Sequence, residues 1–104
     1  MGVLNVVLQN EKCEVVEEVG GRPHTLDRLL PGYDSEDFPY LRFIDPYGDT
    51  IFNGWQMMPF LDEWRRLYVR VEEEEELDLL NRVERMAETC RNGSRPLMLK
   101  FVGD

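Results

Sequence analysis

Six of the 21 acidic residues stand within seven positions, Glu72 to Asp78, with no base among them. Carboxylates at that density have three uses. They begin a helix, whose N-terminal dipole favours negative charge; they present a contact surface to a basic partner; or they capture a cation. Capture is the weakest of the three, because consecutive carboxylates on a helix point around its axis rather than at one point. Two further acids, Asp45 and Asp49, stand four apart in DPYGDT. That segment lacks the alternating ligands and terminal Glu of a calcium loop. Instead Asp45, Pro46 and Gly48 suit the first, second and fourth positions of a type I turn. A magnesium site assembled from Asp45, Asp49 and Asp104 stays open as an alternative. The one histidine, His24, finds no serine in a nucleophile-elbow pattern, since Ser35 and Ser94 both fall in loop-like stretches. Cys13 and Cys90, 77 positions apart, form neither a disulfide framework nor a metal-binding spacing. Gly20-Gly21 and Gly93 stand outside any phosphate-loop pattern. No catalytic, cofactor-binding or metal site is expected, and no cofactor.

The elements that would position these residues read from periodicity. Val3–Leu8 and Cys13–Val19 are β-branched runs around a short polar stretch, which predicts a β-hairpin broken by Gly20-Gly21. Thr25–Leu30 is a short helix, with Leu26, Leu29 and Leu30 on one face, His24 or Thr25 as its cap and Pro31-Gly32 as its stop. Residues 31–39 read as a loop. In LRFIDPYGDTIFN, Phe43-Ile44 and Ile51-Phe52 flank the tight turn and predict a second hairpin. Met57, Phe60, Leu61, Trp64, Leu67, Tyr68 and Val71 draw one stripe of a long amphipathic helix, with Pro59 in its first turn. Leu80, Val83, Met86, Ala87 and Cys90 draw a second, ended by Asn92-Gly93. Leu97–Val102 closes the chain as a strand. The order β-β-α-β-β-α-α-β predicts an α+β fold, a small mostly antiparallel sheet of four or five strands covered on one face by two long helices.

The 104 residues suffice for a single globular domain spanning 1–104. At 42% hydrophobic and 11% aromatic, the chain is too rich in core-formers to be disordered. Its net charge of −9 disfavours nucleic acid and anionic membrane, both of which attract the opposite sign. No apolar run approaches the roughly 20 residues of a membrane span, and the acidic N-terminal segment is not that of a signal peptide, so a cytoplasmic protein is expected.

Three segments, IDPYGDTIFN at 44–53, FLDEWRRL at 60–67 and LKFVGD at 99–104, resemble those of a family of small acidic bacterial proteins. The resemblance implies no activity and no residue role. In size, acidity and want of catalytic groups the chain is similar to bacterial immunity proteins, which bind and block toxins; that is a likeness of class and not of motif. The expectation is a non-enzymatic module that blocks a basic protein partner. Its contact residues would be Glu72, Glu73, Glu74, Glu75 and Glu76 with Tyr33, Asp34, Glu36 and Asp37, since aromatics beside carboxylates have the composition of interface patches. The competing expectations are a metal-dependent enzyme or accessory factor using Asp45, Asp49 and His24, and a self-associating subunit. Monomer and homodimer both stay open.

Overall fold

The computed structural model describes residues 3–20 and 25–103, so Asp104 and His24, one of the two caps proposed for the first helix, lie outside the described residues, while Thr25, the other, is the first residue of that helix. Strands β1 (Asn5–Asn10), β2 (Val15–Gly20), β3 (Asp49–Asn53) and β4 (Leu97–Val102) form one sheet in the order β2-β1-β4-β3, antiparallel at every pairing. The first and last strands of the chain are thus its centre. Helices α1 (Thr25–Leu29), α2 (Met57–Arg66) and α3 (Glu74–Asn92) complete an α+β fold.

Register explains which residues face the helices. Val6 pairs with Phe101 and Leu8 with Leu99, while Phe52 of β3 also pairs with Leu99 and Val19 of β2 with Val6. All six are buried, as period-2 alternation requires of one sheet face. Against them lie Phe60 and Trp64 of α2 and Leu80, Val83, Met86 and Ala87 of α3, each with no exposed surface. The seam is aromatic. Phe60 stacks on Trp64 at 5.5 Å between ring centres, and Phe101 approaches both at 6.0 Å.

The first hairpin forms as expected, with its turn tied by one side chain. Asn10 Oδ1 accepts the Lys12 and Glu14 amides at 2.9 and 3.0 Å, and Cys13 takes the left-handed conformation at φ 63°. The α3 stripe is buried as read, although Leu77 at its start is exposed.

Two expectations are corrected. Leu41–Phe43 is a 3₁₀ turn rather than a strand, so among the described residues there is no second hairpin and the sheet has four strands. The cause lies on α2, where buried Glu63 accepts the amides of Tyr40 and Leu41 at 3.1 and 2.9 Å and so removes them from any strand ladder. The single helix expected over residues 57–71 is instead α2 followed by a 3₁₀ turn, Leu67–Arg70. The Leu67 amide bonds the Trp64 carbonyl and tightens the turn there, while Leu67 itself stays buried. The end of α3 also departs in detail. Gly93 follows Asn92, but at φ −65° and not in the left-handed form that usually selects glycine; its place is steric, since a Cβ would lie 2.9 Å from Leu97 Cδ1.

Candidate partner-binding face

The acidic run is divided by the start of α3. Glu73 is the N-cap, with Glu74, Glu75 and Glu76 in the first turn. Glu76 bends back to complete a capping box, its Oε1 accepting the amides of Glu72 at 2.8 Å and Glu73 at 3.1 Å. Its Oε2 accepts from Arg28 Nε at 2.6 Å, and Arg28 Nη2 pairs with the same oxygen. Glu76 is 4% exposed, so this member of the expected contact set belongs to the framework and not to the surface. Glu72, Glu73 and Glu74 remain exposed, and Glu75 is half-buried.

Bonding to Arg28 first, and then to the two amides, holds the Glu76 carboxyl below its ordinary value of 4.5. A lowered folded-state value means that the group's contribution to stability is fully present above the unfolded value and is lost as pH falls through the folded one. Stability of the wild type should therefore fall more steeply below about pH 4.5 than that of Glu76→Gln. Urea midpoints at neutral and acid pH measure this, and parallel curves for the two proteins would refute it. Glu84 is also held low, by Tyr68 first and Arg65 next, but it is common to both proteins and cancels in the comparison.

The loop of residues 31–40 lies beside this helix start. Its backbone folds through two tight turns, with the Ser35 amide on the Gly32 carbonyl at 3.0 Å and Phe38 on Ser35 at 3.1 Å. Phe38 is buried beneath two guanidinium groups, Arg66 at 4.4 Å and Arg70 at 5.3 Å from its ring centre. Cations above an aromatic face are attracted by its quadrupole, which pins the loop to the end of α2. Arg66 also donates to the Asp37 carbonyl at 2.6 Å. The side chains of Asp34, Glu36 and Asp37 are left exposed around a shallow depression of about 400 Å³ bordered by Arg70. Tyr33 is 76% exposed and touches only the edge of Phe43 among ring contacts, at 5.9 Å.

Arg28 and Arg70 join the two segments. Arg28 pairs with Glu72 at 3.5 Å and donates to the Arg70 carbonyl at 3.0 Å. Arg70 in turn donates to the Leu29 carbonyl at 3.1 Å and borders the depression of the acidic loop. Segments some 40 positions apart in the chain thus share one end of the molecule. Arg28 spends its donors on Glu72, Glu76 and a main-chain carbonyl, while Arg66 and Arg70 lie over Phe38 and donate to main-chain carbonyls, so these three arginines leave Glu73, Glu74, Asp34, Glu36 and Asp37 without an ion pair among the described residues.

Of the groups considered for catalysis, Asp45 and Asp49 are each engaged locally, while His24 and Asp104 lie outside the described residues. Asp45 Oδ1 accepts the Tyr47 amide at 2.8 Å within its turn, while Asp49 pairs with Lys100 at 3.5 Å. Among the described residues, no group of three or more His, Cys, Asp or Glu side chains is placed to hold a metal ion. Cys90 is buried, its thiol pushed up to about 11 by desolvation, and donates to the Leu97 carbonyl at 3.4 Å. Cys13 is exposed on the hairpin turn. Among the described residues no helix is long and apolar enough to cross a membrane.

Sequence reasoning missed two features. Arg28 is the hub of the face, but nothing in a five-residue helix marks one arginine over another. Trp55 lies outside α2, in a 3₁₀ turn over Gly54–Gln56, and is 95% exposed. The available signal was Asn53 three residues before Gln56, a capping-box spacing that the structure uses. No protein-family model, curated protein or solved structure matches the chain, so the three segments noted above carry no family assignment and the face must be judged on its geometry.

Proposed function

We propose that the chain is a non-enzymatic protein-binding module, acting in the cytoplasm, whose acidic end occupies and blocks a basic protein partner in the manner of an immunity or antitoxin-type inhibitor. One observation carries the reading. Two acidic segments distant in sequence are brought to one end by Arg28 and Arg70, and Tyr33 stands exposed beside them. A preorganised patch of one sign speeds encounter with the opposite sign and disfavours wrong partners. An exposed tyrosine supplies area at small entropic cost, which suits it as an anchor. Block follows sterically once the partner's basic surface is covered.

The test is capture from native lysate on the wild type and on a variant carrying Glu72→Gln, Glu73→Gln, Glu74→Gln, Asp34→Asn, Glu36→Gln and Asp37→Asn. All six side chains are exposed, so most of the changes should alter stability by only about 0.5 kcal/mol or less; Glu73→Gln, at the N-cap of α3, and Glu72→Gln, beside Arg28, should each cost about 1 kcal/mol or less. A basic protein released from the wild type as salt rises, and absent from the variant, is the expected result. The same eluate from both would remove this face from the function.

A further inference from the structure

The other end of α3 carries an open groove of about 690 Å³, bordered by Trp55, Arg91, Ser94, Arg95, Met98 and Glu11. Its walls are fixed. The Gln56 amide donates to Asn53 Oδ1 at 3.0 Å and the Asn53 amide to Gln56 Oε1 at 2.8 Å, which locks the turn bearing Trp55. That turn is pressed on α3, since a Cβ on Gly54 would lie 3.1 Å from the Cys90 carbonyl. The facing turn is equally close, a Cβ on Gly93 meeting the Arg95 carbonyl at 3.3 Å. On this rigid frame the Trp55 indole stands 95% exposed. Arg91 and Arg95 are exposed, and neither has an ion pair or hydrogen bond among the described residues.

An indole held in water by a rigid turn gains nothing for the fold and offers a flat face on which a nucleobase stacks. Guanidinium groups fit phosphate oxygens through their planar fork of donors. The volume lies in the range of roughly 300–1,000 Å³ usual for small-molecule sites. We propose that this groove binds a heteroaromatic phosphate ester, its ring on Trp55 and its phosphate on Arg91 and Arg95. The overall charge of −9 does not forbid this. Screening acts over about 8 Å at physiological salt, whereas the acidic start of α3 is about 27 Å away along its 19 residues; of the residues that border the groove only Glu11 is acidic, against the two guanidinium groups of Arg91 and Arg95. A polyanion would have to cross that surface; a monoester does not.

The four common nucleoside monophosphates, with adenosine and inorganic phosphate as half-ligands, would be titrated into the full chain. The Trp55 indole N–H resonance is the reporter, and buried Trp64 is the internal reference. At least one monophosphate should saturate the Trp55 shift and leave Trp64 still, with either half-ligand weaker by about tenfold or more. Trp55→Ala, followed by calorimetry, and Arg91→Ala with Arg95→Ala should each weaken binding by about tenfold or more. The proposal is overturned if no monophosphate moves Trp55 at millimolar concentration, or if the arginine variant binds as the wild type does. It is also overturned if Trp55 shifts with protein concentration alone, which would place a second copy in the groove.

Discussion

Trp64→Ala should lower the thermal midpoint by roughly 15–30 °C, the largest single effect expected of any substitution in this chain. Trp64 has no exposed surface and sits where α2, α3 and β4 meet. Its ring lies almost parallel to Phe60, 12° apart, so the truncation removes a stacked pair as well as buried area. Its Nε1–H donates to the Leu80 carbonyl at 3.0 Å and ties the last turn of α2 to α3. Truncating a buried tryptophan costs about 3–5 kcal/mol, against a total of about 5–15 kcal/mol for a domain of this size. Trp64→Phe separates the terms. It keeps most of the packing and gives up the indole bond, so a loss of about 1–2 kcal/mol is expected. Urea unfolding of both variants measures this, and a loss for Trp64→Ala under about 1 kcal/mol would show that the seam does not hold the helices to the sheet.

Glu63→Ala should cost about 2–4 kcal/mol, and its damage should be local to the acidic loop. Glu63 is 3% exposed, and its carboxylate accepts from two amides, Tyr40 through both oxygens at 3.1 and 3.2 Å and Leu41 at 2.9 Å. Hydrogen bonds to a charged acceptor are worth more than neutral ones, and their removal leaves main-chain donors without partners beside the buried Leu41. The 3₁₀ turn that begins there is the far anchor of the loop carrying Tyr33, Asp34, Glu36 and Asp37. Hydrogen exchange at Tyr40 and Leu41 should accelerate beyond what the fall in global stability explains, while the amides of β1 and β4 follow global stability alone. Glu63→Gln retains one acceptor oxygen and should lose less than half as much. Equal exchange rates in wild type and Glu63→Ala would show that the carboxylate does not hold the loop.

What was legible in the sequence was whatever rests on short-range periodicity. The stripes of α2 and α3 follow from spacings of three and four, because burial on one face imposes those periods, and the strands β1, β2 and β4 follow from local β-branched and apolar runs. The Asp45 turn was legible for the same local reason. Leu41–Ile44 was not, since its apolar residues suit a strand and the carboxylate that makes it a turn is 22 positions away. The division of the acidic run was hidden in the same way. Five consecutive glutamates look alike, and only Arg28, 48 positions earlier, selects Glu76 for burial and leaves Glu72, Glu73 and Glu74 in water. The exposure of Trp55 follows from a capping box between Asn53 and Gln56 that turns the chain outward before α2 begins.

The most direct test of the central claim is the association rate of the captured partner with wild type and with the six-residue neutralised variant, measured across ionic strength. The wild-type rate should fall steeply as salt rises, and the variant should be slower by about tenfold or more at low salt with a nearly flat dependence. The two should converge at high salt, where screening removes the steering. Rates that coincide at every ionic strength would contradict the account, because the acidic end would then play no part in recognition.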